Sequence, residues 1–174
     1  MQLYQKKEVV AYANYLATIP EMPTTTPAGL SERELRAWRG LLQVHSSMIS
    51  RLDTELEREH GLPLASYEVL LHLNDEPDCS LRMGELAERL FLSRSGLTRL
   101  IDRLVKAGLV ERASCESDRR GSYAQLTSEG RRRFDAARPT HLRGIREHFL
   151  SKLRADDLDR LAATWSKLGD SPAE

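Results

Sequence analysis

The chain has 174 residues, enough for one domain with an appendage. It is 40% hydrophobic and 30% charged, and its 26 basic and 26 acidic residues cancel, so only a local charge distribution can point to a polyanionic partner. Aromatics are sparse at 6%, Leu, Arg, Glu and Ala abound, and no window has the apolar length of a membrane span or secretory leader; a mainly helical, soluble, cytoplasmic protein with no membrane partner is expected.

Residues 1–30 read as an N-terminal extension. Val9, Tyr12, Leu16 and Ile19 at helical spacing predict a short amphipathic helix, followed by the proline-rich connector PEMPTTTPAG. A frayed tail fits these residues equally well. Over 31–60, Leu35, Trp38, Leu42, His45, Ile49, Leu52 and Leu56 recur by threes and fours, which predicts one long helix with a coiled-coil-like seam. Ser31 with Glu34 forms a capping box at its start, and Gly61 with Pro63 ends it.

A short apolar helix is expected over 66–74, closed by the turn-forming NDEPD. Two compact helices follow, over 82–90 and 93–107, separated by a break at FLS and ended by Gly108. The period then changes: LVERASC and GSYAQLT, separated by ESDRR, predict a β-hairpin. Thr127 caps a further long helix, with Glu129 in its first turn, running through Phe134, Ile145 and Phe149 to about residue 153. A last helix carries Leu158, Leu161, Trp165 and Leu168 on one stripe.

Cys79 and Cys115 lack CxxC spacing and the histidines are scattered, so no metal site, cofactor or disulfide framework is expected. No nucleophile elbow, phosphate loop or paired-carboxylate pattern appears, which speaks against an enzyme.

The segment from Gly84 to Arg112 is the most specific. Leu86, Ala87 and Leu90 on one short helix and Leu97, Leu100, Ile101 and Leu104 on the next are the parts of a helix-turn-helix. On the second helix this leaves Arg94, Ser95, Thr98 and Arg99 outward near the N-terminus, the end that enters the major groove in such motifs. Gly96 keeps that surface low. Residues 82–133 hold twelve Arg and Lys against seven Asp and Glu, a basic module inside a neutral chain.

The runs ELAERL, SRSGLTRLIDRLVKAGLVER, DRRG and AQLTSEG resemble the winged helix-turn-helix of MarR-type (multiple antibiotic resistance regulator) transcriptional regulators, and the helix order over 31–169 is similar too. The resemblance implies a mainly α fold with a small β-hairpin wing. It divides the chain into the extension at 1–30, a dimerisation helix at 31–62, a winged helix-turn-helix DNA-binding domain at 63–127 and C-terminal dimerisation helices at 128–170. The family's Asp-x-Arg wing motif maps onto Asp118, Arg119 and Arg120, which implies Arg120 in the minor groove, Asp118 as its positioner and Arg119 on a phosphate.

The partners so implied are a double-stranded DNA operator, a second copy of the chain, and a small aromatic or phenolic effector at the cleft between the dimer helices and the DNA-binding domain. Trp38, His45, Tyr67 and His72 are the residues available for that effector; Trp38 and His45 lie seven apart and share a helix face. The competing reading makes Trp38 core, His45 a buried hydrogen-bonded histidine and His72 merely exposed. Oxidation-sensing members carry a cysteine near the start of the first long helix, and residues 31–60 contain none. The expected function is a ligand-responsive, homodimeric repressor on a pseudopalindromic operator; the alternative is a winged-helix module that recognises another protein without specific DNA binding.

Overall fold

The computed structural model describes residues 29–115 and 118–168, with backbone alone over 114–115 and 118–121. The expected N-terminal helix and connector lie, up to residue 28, outside the described residues.

Helix α1, Glu32–His60, opens on the expected capping box: the Ser31 N–H and hydroxyl each donate to Glu34 Oε2 at 2.7 Å, and the Glu34 N–H returns to Ser31 Oγ. Gly61 closes it in the left-handed region, its N–H donating to the Glu57 carbonyl. Helix α2, Leu64–Asn74, begins two residues earlier than expected. Its N-cap Pro63 offers no capping side chain, and Asp53 of α1 reaches across instead, Oδ1 accepting from the Leu64 N–H at 3.0 Å.

Strand β1, Ser80–Arg82, is a strand the sequence did not suggest; it takes in Arg82, where a helix was expected to begin, and helix α3, Met83–Arg89, is one residue shorter at each end than expected. Helix α4, Arg94–Lys106, is capped by Ser93, whose Oγ accepts from the Gly96 N–H. Strands β2, Val110–Cys115, and β3, Asp118–Leu126, form the hairpin, and β1 adds to the far edge of β3, giving the antiparallel order β1-β3-β2. Strand β3 begins within the predicted ESDRR loop, since Asp118, Arg119 and Arg120 already belong to it. A three-residue strand carries no readable alternation, and β1 exists because Leu81 meets Ala124 across the sheet, both of them buried.

Helix α5, Ser128–His148, is capped by Thr127, which accepts from the Gly130 N–H and donates to the Gly108 carbonyl. Pro139 lies inside it without ending it. The helix stops at His148, short of the expected 153, and a 3₁₀ turn, Leu150–Lys152, follows; the Ser151 hydroxyl donates to the Glu147 carbonyl of the last helical turn. Helix α6, Ala155–Leu168, completes the described chain.

One core runs from Leu52 and Leu56 of α1 through Tyr67, Leu70 and Leu73 of α2 and Leu86 of α3 to Leu97, Leu100, Ile101 and Leu104 of α4, and ends on Phe134 and Ala137 of α5. Two glycines allow its closest approaches. A Cβ at Gly130 would stand 2.0 Å from the Leu109 carbonyl oxygen, and one at Gly144 would stand 2.6 Å from Leu52. Beside Gly144, α1 and α5 are tied by His148 to Glu55 at 2.6 Å, Arg143 to Glu59 at 2.8 Å, and Thr140 to Glu59 and His60 at 3.0 and 2.8 Å. The N-terminal half of α1 lies off this core. Trp38 is 45% exposed and His45 is also exposed, which corrects the reading of Trp38 as core and His45 as buried.

Candidate nucleic-acid interface

The amphipathic pattern of α4 decides what it presents. Leu97, Leu100, Ile101 and Leu104 bury one face, so Arg94, Ser95, Thr98 and Arg99 are exposed on the other, within two turns of the N-terminus. The structure thus brings these four predicted residues together. The Thr98 hydroxyl donates to the Arg94 carbonyl at 2.8 Å, which leaves its oxygen as an acceptor and its methyl for apolar contact. Gly96 has a role beyond a low surface: a Cβ there would come within 3.1 Å of Ser93 Oγ, so the glycine also makes room for the cap.

Between α3, α4 and the sheet lies a groove of about 690 Å³, lined by Arg82, Glu85, Glu88, Arg94, Thr98 and Arg112 among others. Arg112 of β2 donates to Asp102 of α4 at 2.7 Å, fixing the sheet against the helix. Arg89 is held by Glu76 and Glu85, each at 2.6 Å, and braces α3 against the preceding loop. Sequence reasoning missed Arg82 and the Arg112–Asp102 pair, because nothing in a strand's residue types tells which helix it will touch.

Asp118, Arg119 and Arg120 open β3, with Asp118 opposite Cys115 beside an irregularity in the ladder at 114–115. Their side chains, like that of Cys115, lie outside the described residues. The sheet does place this end of β3 at the far tip of the hairpin, after the helix-turn-helix.

A helix-turn-helix followed by a hairpin is shared by many regulators. The family model for MarR matches residues 60–121, from the end of α1 into β3. The structure of AbsC, a MarR family transcriptional regulator from Streptomyces coelicolor, is 34% identical, covers 80% of this chain and 94% of its own, and superposes with a TM-score of 0.76. The chain belongs to the MarR family. Sco3205, a MarR family regulator of the same organism solved in complex with DNA, is 31% identical over 82% of this chain and 89% of its own, with a TM-score of 0.77. PapX, an HTH-type transcriptional regulator of Escherichia coli, is 30% identical over 123 residues, 69% of this chain and 73% of the relative. This MarR-family chain is a DNA-binding transcriptional regulator, as the relatives it matches are.

The four effector candidates are not gathered into one lining. Trp38 and His45 lie on the exposed half of α1. Tyr67 is 1% exposed, stacked on Phe134 at 5.4 Å and tilted against His141 at 4.5 Å, and burial pushes its hydroxyl up to about 12. His72 is half-buried where the competing reading had it exposed; burial first, then Arg89, hold its pKa below the ordinary value, which favours a neutral ring. The structure also assembles a group the sequence did not suggest: ligand-type atoms of Glu55, Glu147 and His148 lie within 4.8 Å of one another at the α1–α5 seam. No helix among the described residues is long and apolar enough to cross a membrane.

Proposed function

We propose that this MarR-family regulator is a homodimeric, ligand-responsive repressor that binds a pseudopalindromic operator. The observation that carries the reading is the exposed face of α4, where Arg94, Ser95, Thr98 and Arg99 stand together at the end of a helix braced by the sheet. Guanidinium groups and hydroxyls at that end suit base edges and phosphates. The Asp-x-Arg resemblance assigns Arg120 to the minor groove, where the concentrated negative potential favours arginine, with Asp118 as its positioner and Arg119 on the backbone. The likeness to Sco3205, solved in complex with DNA, supports DNA as the partner.

Dimerisation is supported by apolar surface left uncovered. Trp38, Leu41 and Val44 on α1 and Leu158, Trp165 and Leu168 on α6 are exposed, and nothing among the described residues covers them. Two copies joined there present paired α4 helices to successive major grooves, about 34–36 Å apart. A small aromatic or phenolic acid held at Trp38 and His45, on the exposed half of α1, would alter that spacing and release one half-site. A mobility-shift titration tests this: preference for the duplex upstream of the protein's own gene over random DNA at moderate salt is expected, and equal binding to both would sink it.

A further inference from the structure

Phe91 stands in the tight turn between α3 and α4 and is out of place there twice over. Its backbone lies in the left-handed region, at φ 50, which a residue with a Cβ adopts only at a cost. Its ring is 93% exposed, more than any other large apolar side chain among the described residues, so no burial offsets that cost. The turn itself does not require a phenyl group. Its backbone bonds, Phe91 N–H to the Glu88 carbonyl at 3.0 Å and Leu92 N–H to the Ala87 carbonyl at 2.9 Å, are open to any residue with an N–H, and glycine or asparagine fits the conformation better.

Strained backbone of this kind clusters at functional sites and ligand contacts. Phe91 precedes Ser93, the cap of α4, by two residues, and Glu88, which holds its N–H, lines the same groove as Arg94 and Thr98. In a helix-turn-helix the first helix crosses the DNA backbone and the second enters the major groove by its N-terminus. The turn joining them therefore passes over the groove's lip. The apolar surface a duplex offers there is the carbon face of a deoxyribose and the methyl of a thymine. A protein partner fits less well. No other large apolar side chain of α3, the turn or the first turns of α4 is exposed, and the exposed residues that follow Phe91 most closely in the chain, Ser93, Arg94 and Ser95, are polar.

We infer that Phe91 is a DNA-contact residue, laying its ring on a deoxyribose and an adjacent thymine methyl at the edge of the major groove. The inference rests on the operator-binding reading above. Phe91→Asn tests it, because asparagine tolerates the left-handed backbone and removes the ring. The variant is expected to melt at or above the wild-type temperature, yet to bind the duplex upstream of its own gene about tenfold more weakly, the scale of partly burying a phenyl. The salt dependence of binding stays unchanged, since no cation is lost. Uracil in place of thymine in that duplex is expected to weaken the wild type more than the variant. Wild-type preference for the duplex with undiminished binding by Phe91→Asn overturns the inference alone. A variant that melts lower and loses binding in step assigns Phe91 to the fold and overturns it as well. Absence of any preference in the wild type sinks the operator reading and this inference together.

Discussion

Thr98 and Arg94 show how a local bond sets what a recognition helix can read. With the Thr98 hydroxyl hydrogen engaged by the Arg94 carbonyl, the threonine offers an acceptor and a methyl, while Arg94 offers a fork of donors. Thr98→Ala or Arg94→Ala is accordingly expected to change which bases are preferred; an equal loss on every sequence, measured by competition binding, would mark them as backbone contacts. Arg120→Ala is expected to weaken operator binding by about 1–3 kcal/mol, the range for a specific groove contact. Unchanged affinity in the same titration would remove Arg120 from the interface. The residue types of this site were legible because the helical period sorts exposed from buried positions. The Arg112–Asp102 brace was not, since opposite charges become a pair only when β2 is laid beside α4.

Elements are where prediction from periodicity was strongest and where its failures are most instructive. The starts of α1, α4 and α5 were legible because Ser31, Ser93 and Thr127 carry their capping chemistry within three residues of sequence. Strand β1 and the end of α5 were not, because the first depends on β3 and the second on a 3₁₀ turn with no glycine stop. Close packing of elements is equally silent in the sequence. Gly130→Ala is expected to destabilise the fold by about 1–3 kcal/mol through overpacking, because its Cβ would meet the Leu109 carbonyl oxygen, which is backbone and cannot rotate away. Denaturant unfolding with a wild-type midpoint would refute that contact.

The α1–α5 seam adds a dependence on pH. Arg143 foremost, then Arg58 and Thr140, hold the Glu59 carboxyl below its ordinary 4.5, at about 2. A carboxyl lowered in the folded state contributes stability that is complete above its unfolded pKa and is lost as pH falls from about 4.5 to about 2. The melting temperature of wild type is therefore expected to exceed that of Glu59→Gln near neutrality and to converge on it towards pH 2. A gap that does not vary with pH would show that the carboxylate charge is not what joins the helices.

At the scale of the whole molecule, the uneven burial of α1 has the widest consequence. Its C-terminal half enters the core at Leu52 and Leu56, while Trp38, Leu41 and Val44 face outward, as do the apolar residues of α6. The proposed dimer covers both surfaces. Trp165→Asp on α6 is expected to yield a monomer by sedimentation and to lose operator affinity with the second half-site; a dimer of wild-type stability would place the interface elsewhere.

The sequence by itself determined the order of helices, the helix-turn-helix with its hairpin, and the polar face of α4, because capping, helical period and turn residues act over a few positions. Only the tertiary structure decided which end of α1 is core, that a third strand joins the wing, and that α1 and α5 lock through partners such as His60 and Thr140, 80 residues apart. Those outcomes depend on which surfaces meet after the chain has folded back on itself, and local residue types do not encode them. Phe91 lies between the two. Its identity is plain in the sequence, but its exposure and left-handed backbone, the properties that point to DNA, exist only in the fold.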